Sequence, residues 1–498
     1  MAGLPLKFPR LFFLALLLAV LGIISCSKAP DGALRFGLSK APITLDPRFA
    51  TDAASSRINR LIYQSLVDFD ERYSVIPALA EWQQITPSHY RFQLRDPAKF
   101  HDGSALTAVD IKATYDSILD PATNSPHRAG FDMIETIKVV DERTVDFKLN
   151  KADLLFPGRL VIGIMPAAAL KAGHPFNQQP LGSGAFAFDS WPEEGTLHLK
   201  RLADSQRLSF IAVENPTVRV LKLMRGEIDM LQNDIPSEMV TYLEKQSDIQ
   251  VIKGPGSNFT YLGFNLQDAE TGNLKLRQAI AHALDREAII QYVMGGAATP
   301  ASALLPPDHW AGVKLPLYPY DPARARMLLK EAGYTAGKPP LLVYKTSSDP
   351  FRIRLATIIQ QQLTEVGIDV DLRSYDWGTF YGDIKAGRFQ MFSLSWVGIK
   401  TPDIFRYAFH SSAFPPDGSN RGRYSDNVTD TLIESAEAAT TLEQQAEEYR
   451  KVQVRLLEQL PYVPLWYEDH VFSARKGISG YRVARDGNYD GLIHVTRH

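Results

Sequence analysis

Cysteine is nearly missing: among 498 residues there is one, Cys26. No disulfide can form within the chain, so its stability has to come from burying a core. Blocks of one charge are missing as well. The 54 basic residues stand against 56 acidic ones for a formal net charge of −2, with no Lys/Arg run, which gives no support for nucleic-acid binding. Beyond the N-terminus no stretch is apolar enough to span a membrane. There is no G-x-S-x-G elbow, no H-E-x-x-H and no spare cysteine to act as a nucleophile, so an exported hydrolase is the weaker reading and no catalytic residue is assigned. Short-spaced histidines are scarce. His494 and His498 sit at i and i+4, a spacing that holds a metal on a helix, but they fall at the chain end, where order is usually poor. His410 stands alone. No resident metal or cofactor is expected. Repeats, low-complexity tracts and a clean linker are also absent, so domains that exchange strands are expected.

What is present begins with a leader. Lys7 and Arg10 precede an unbroken apolar or glycine run from Leu11 to Ile24. That is short for a bilayer span, which takes about 20 residues, and fits a signal-peptide core. It ends in Ile23-Ile24-Ser25-Cys26, which resembles a bacterial lipobox. Residues 1–25 are expected to be removed and Cys26 acylated. Buried acyl chains at about 0.8 kcal/mol per CH₂ would hold the product on a membrane, with 26–33 as tether. Two cations leave with the leader, taking the net charge from −2 to −4. The remaining 473 residues exceed the roughly 250–300 at which chains split into domains.

Strands and helices mix throughout, which predicts an α/β fold. Leu34 to Leu38 and Tyr90 to Arg95 alternate as strands, and Thr136 to Leu149 gives two more around Asp141-Glu142-Arg143. Helices are expected over 55–67, from Thr107 (with Asp110 at the capping-box position), over 274–294, from Asp321-Pro322 to Gly333, over 350–366 and as one long region over 428–459. A strand follows at 368–372. His101-Asp102-Gly103 reads as a turn with a packed histidine. Arg277 and Asp285-Arg286 read as helix-end and salt-bridge groups, and Glu81-Trp82 as a packing contact.

Several segments in order resemble the family 5 solute-binding proteins of ABC transporters, the peptide- and nickel-binding group. They are Ala80-Glu81-Trp82 with Tyr90 to Arg95, Phe100 to Asp110, Pro180-Leu181-Gly182-Ser183-Gly184-Ala185-Phe186, Arg225 to Asp229, Leu262-Gly263-Phe264-Asn265, Arg277 to Ile280 with Ala283 to Arg286, and Asp321 to Tyr334. The resemblance implies a two-lobe periplasmic-binding-protein-like fold of type II with an extra subdomain on the first lobe. Lobe I would be 34–69, 165–257 and 471–498, the extra subdomain 70–164, and lobe II 258–470. It also implies a monomer held by its lipid anchor in the periplasm or at the cell exterior, handing a solute to ABC permease subunits in the inner membrane.

By the same resemblance, Trp377 and Trp396 match aromatic cavity walls. Ser395-Trp396-Val397 matches a backbone stretch that pairs with an extended peptide, and Thr51-Asp52-Ala53 the facing stretch. One position departs. Where tight peptide binders carry an aspartate for the ligand's ammonium, this chain has Ile399. A buried ammonium without a counter-charge is costly. Either Asp52 or Asp403 substitutes, or the solute has no free amine there; Asp403, in Thr401-Pro402-Asp403, could instead cap the next helix. An oligopeptide or dipeptide is the expected solute, with a nickel chelate, haem or an oligosaccharide as alternatives.

Overall fold

The structure, a computed structural model, describes residues 32–498 except 193–194 and 336. The leader, Cys26 and most of the tether lie outside the described residues. One sheet of eleven strands runs through the molecule. From one edge its order is Phe186–Ser190, Thr196–Arg201, Arg207–Ala212, Leu34–Leu38, Met230–Gln232, Tyr462–Arg475, Ile249–Phe264, Met391–Trp396, Leu341–Ser347 and Asp369–Tyr375, with Ala298–Pro300 added on Tyr462–Arg475. A separate four-stranded antiparallel sheet holds Ala80–Thr86, His89–Leu94, Thr144–Leu149 and Ile134–Val139.

The two longest strands carry the architecture. Residues 249–254 of one pair with 475–470 of the other, and residues 258–263 pair with 468–462, with a shift of register between Gly254 and Asn258. On one side of that shift the sheet continues through Met230–Gln232. On the other it continues through Met391–Trp396. The buried side chains divide at the same place. One cluster gathers Leu34, Phe36, Phe186, Phe210 and Phe472, and a smaller one Val220, Leu223 and Ile249. Beyond the shift, the two faces of the sheet bury Leu262, Tyr344, Ile359 and Trp466 on one side and Phe259, Tyr261, Phe405 and Tyr462 on the other. A further cluster with Phe92, Tyr115, Phe147 and Phe156 belongs to the four-stranded sheet. Strands shared and cores separate is the structure of two lobes joined by a hinge ribbon, with the subdomain's core as a third unit.

Local chemistry explains most element ends. Thr107 N–H and Oγ1 both donate to Asp110 Oδ2, at 2.8 and 2.9 Å, and open the helix Ala108–Leu119. Asp321 and Asp349 cap Pro322–Glu331 and Pro350–Glu365 by accepting from Arg324 N and Arg352 N. Three helices depart from the sequence expectation. The first runs Ala53–Ile62 instead of 55–67, because Gly184 N–H takes the Ile62 carbonyl at 2.7 Å; Val67 then begins the strand Val67–Phe69. The region 274–294 is two helices, Leu274–Ala283 and Arg286–Tyr292. Asp285 caps the second, and the Arg286 guanidinium takes the Ala281, Leu284 and Pro464 carbonyls at 3.0, 3.2 and 2.9 Å. The last region is likewise two, Asn427–Ala438 and Leu442–Gln459, divided where Thr441 caps the second.

The sequence motifs act as joints. His101 N–H donates to the Gly182 carbonyl at 2.8 Å, and its Nε2 lies 3.0 Å from the Gly184 oxygen. A Cβ at Gly182 would overlap the Ile62 carbonyl, so glycine is required for this close approach. Among the described residues Arg277 and Arg286 make no salt bridge, contrary to expectation: Arg277 instead donates to the Thr271, Gln459 and Leu460 carbonyls at 2.7, 2.8 and 2.9 Å. The chain end is ordered rather than loose. Thr496–Arg497 pairs with Ile478–Ser479, and His498 Nε2 meets Ser479 Oγ at 2.8 Å.

Candidate solute-binding cleft

In the second lobe the strands Leu341–Ser347, Asp369–Tyr375 and Met391–Trp396 run parallel. Their carboxyl ends are where ligands bind in open α/β sheets. Trp377 and Ser395 to Val397 lie there. Asp376 caps the helix Trp377–Ala386 by accepting from Thr379 N. Trp377, 58% exposed, stacks on Tyr381 at 5.4 Å and 7°. Trp396 is half-buried and meets Tyr407 edge-on at 6.4 Å. Its strand pairs with Phe259 to Phe264 along one edge, whereas pairing with Leu341–Ser347 stops at Phe392. Ser393 to Trp396 therefore present a second strand edge of the kind that accepts an added strand. Val397 is 64% exposed.

The acids around this wall already have partners. Ile399 packs against the aromatic cluster of Phe405 and Phe409. Asp403 does not cap its helix. It receives Thr401 Oγ1 at 2.5 Å and pairs with Arg159 at 3.2 Å, joining the second lobe to the subdomain. Asp52 caps Ala53–Ile62 by accepting from Ser55 N at 2.8 Å, and Thr51 and Ala53 are exposed beside it. Among the described residues no hydrogen bond, ion pair or ring contact joins Thr51, Asp52 or Ala53 to Trp377 or to Ser395, Trp396 and Val397.

Two groups were not legible in the sequence. Glu468, on the hinge strand, accepts from Thr260 Oγ1 at 2.8 Å and Ser395 Oγ at 3.3 Å and pairs with Arg352 at 3.3 Å. Nothing local marks it; only the register of the long strands brings it to Ser395. Arg421 lies under Trp396, its guanidinium carbon 4.8 Å from the indole centroid. At the hinge, Asp469 is held above the usual carboxylate range by burial, and His470 below the usual histidine range for the same reason. His470 sits between Asn233 Nδ2 at 2.9 Å and the Arg485 carbonyl at 3.0 Å. A cavity of about 360 Å³ opens between subdomain and second lobe, lined by Trp82, Leu154, Trp310, Thr401 and Arg450. Trp82 also packs on Phe92. Among the described residues no group of three His, Cys, Asp or Glu could hold a metal, and no helix is long and apolar enough to cross a membrane.

Two lobes that share long strands but not cores define a two-lobe α/β fold of the periplasmic binding-protein type. The comparisons agree with that class. The profile of the bacterial extracellular solute-binding proteins, family 5 (middle region), matches residues 74–415, and the chain belongs to that family. It is 27% identical over 466 residues to the glutathione-binding protein GsiB of Escherichia coli K12, covering 90% of this chain and 91% of the relative. The periplasmic binding protein DppA of Helicobacter pylori, solved with the peptide STSA, is 26% identical with a TM-score of 0.72, over 93% of this chain and 98% of that one. The substrate-binding protein CtaP of Listeria monocytogenes shares the fold at a TM-score of 0.83 and 24% identity, over 93% and 99%.

Proposed function

We propose that this protein is the solute-binding lipoprotein of an ABC importer, capturing a small peptide or peptide-like molecule between its lobes and delivering it to the permease. The observation that carries the reading is the hinge: two strands of 16 and 14 residues cross between lobes whose cores share no cluster. A solute touching both lobes favours the closed arrangement, and closure is what a permease can recognise. The lobes are assigned as 34–69, 165–257 and 471–498 against 258–470, with 70–164 as the subdomain of the first.

Trp377, Ser395, Trp396 and Val397 form the solute wall in this reading, faced by Thr51, Asp52 and Ala53. Asp403 is assigned to joining lobe and subdomain. The names of the relatives, one binding glutathione and one solved with a four-residue peptide, support a short peptide. The protein catalyses no reaction, works as a monomer and is held outside the cytoplasm by acylated Cys26. Calorimetry with glutathione and trialanine, paired with small-angle scattering, tests this. The expected result is saturable binding with a fall in radius of gyration and the ligand recovered intact. Ligand turnover, or binding without compaction, would refute it.

A further inference from the structure

Five arginines are at least nine-tenths buried among the described residues: Arg201, Arg219, Arg277, Arg286 and Arg421. Four are clamped by backbone carbonyls. Arg201 takes those of Leu492, Ile493 and Val495 and pairs with Asp204. Arg219 takes those of Val213 and Asp234. Arg277 and Arg286 take three and four respectively. Among the described residues Arg421, 7% exposed, has neither a carbonyl nor a carboxylate. Its partners are hydroxyls: Tyr381 at 3.0 Å, Ser419 at 3.3 Å and Tyr261 at 3.5 Å. Its guanidinium also lies 5.3 Å from the Tyr381 ring centroid. Arg421 Nε is a buried donor without an acceptor.

Among the described residues no carboxylate pairs with it, and acids on nearby elements are engaged elsewhere. Asp383 is bound to Lys345 and Arg388, both at 2.7 Å. Asp426 is bound to Arg455 at 3.0 Å and Glu468 to Arg352 at 3.3 Å. Ile399, where tight peptide binders carry an aspartate, supplies no acid either. A buried cation without a counter-charge is costly, and this one stands directly behind the aromatic wall.

We propose that Arg421 makes this wall select an anionic group, so that the solute presents a carboxylate, not an ammonium, to Trp396. This rests on the cleft being the solute site. The edge of an indole is the positive part of its quadrupole and is the favourable side for an anion; Trp396 Nε1 is itself buried, so the contact is with the carbon edge of the half-buried ring. A carboxylate in contact there lies on the order of 8 Å from the guanidinium carbon, where an effective dielectric near 20 corresponds to roughly thirty-fold in affinity. Arg421 acts through Trp396 and is a positioning residue. Because the charge is buried, salt screens the effect only weakly.

The test is calorimetry on wild type, Arg421→Gln and Arg421→Lys, at low and high salt. Glutathione and trialanine are each used in three forms: free, N-acetylated, and with every carboxylate converted to carboxamide. In wild type the carboxamide forms should bind about thirty-fold more weakly than the acids, and the acetylated forms should bind as well as the free ones. Arg421→Gln should close the gap to within about three-fold, and Arg421→Lys should keep most of it. A purely structural arginine would weaken all forms alike and leave the gap intact. Carboxamides binding as well as acids, or a gap unchanged in Arg421→Gln, would overturn the proposal. If neither peptide binds in any form, the peptide reading fails by itself. The charge selection is then decided by the solute released on denaturing purified wild-type protein: one with an acidic group upholds it, and a neutral or purely cationic one overturns it.

Discussion

Lowering the pH should loosen the contact between subdomain and second lobe through one histidine. His309 is 2% exposed. Its ring stacks on Tyr73 of the subdomain at 5.4 Å and on Trp310 at 5.7 Å. Nδ1 accepts from Ala311 N–H at 3.0 Å, which leaves Nε2 to donate to the Lys400 carbonyl at 3.1 Å. The neutral ring is therefore satisfied at both nitrogens, and a proton on Nδ1 would confront an N–H. Burial pushes its pKa down from 6.5 to about 4, against the weaker pull of the Lys400 carbonyl, Asp308 and Asp70. The unfolded chain then binds more protons between pH 6.5 and 4, so stability falls as the pH drops through that window. Integrating between those two values gives a loss of about 2 kcal/mol from pH 7 to pH 5 and about 3 kcal/mol by pH 4. His101, His127 and His470 shift in the same direction, so the wild-type slope alone does not isolate His309. His309→Gln, which keeps a donor and an acceptor without titrating, does. In thermal scans the variant should lose about 4–8 °C less than wild type between pH 7 and pH 5, for an unfolding unit of about 200 residues. Equal losses in the two proteins would refute the assignment.

Other substitutions test the joints and the wall. Gly182→Ala places a Cβ against the Ile62 carbonyl and should cost about 1–3 kcal/mol, seen as a lower melting temperature with solute affinity retained. Arg277→Met strands the Thr271, Gln459 and Leu460 carbonyls and should cost about 3 kcal/mol in denaturant titration, at about 1 kcal/mol each. Trp377→Ala removes a half-exposed ring stacked on Tyr381; solute affinity measured by calorimetry should fall about ten-fold while the melting temperature moves by less than about 2 °C. Gly256→Ala wedges a methyl against the Glu468 carbonyl at the hinge crossing, and scattering should show a smaller compaction on solute binding than wild type gives.

The α/β class and several caps could be read directly. Asp321, Asp349 and Thr107 announce their helices because a short polar side chain followed by apolar periodicity has few other uses. Periodicity failed where a helix stops without losing its stripe. Ala283 and Leu284 continue the apolar pattern, yet the chain breaks there: Asp285 caps the next helix and Arg286 takes the Ala281 and Leu284 carbonyls. The same holds at Thr441, whose capping role is indistinguishable from an exposed helical threonine until the turn is seen. Trp377 and Trp396 were singled out through family resemblance. Glu468 and Arg421 were not, since each reaches the wall by strand register or by a loop that closes over it, neither of which leaves a local mark.

The energetics of closure follow from what does and does not cross between the lobes. No buried cluster among the described residues contains side chains from both. What crosses is largely polar: Lys400 with Asp486 at 2.7 Å, Asp308 with Arg485, and Glu238 with Arg354. Partly exposed pairs of this kind contribute about 0–1 kcal/mol each. The ribbon itself keeps its backbone pairing on either side of the register shift, so a twist there breaks few hydrogen bonds. Open and closed arrangements can thus differ by only a few kcal/mol, the range in which a solute with contacts on both lobes controls the population. A core shared between the lobes would have fixed one arrangement and left the solute nothing to decide. Its absence, more than any single side chain at the wall, is what makes a receptor of this fold responsive to its ligand.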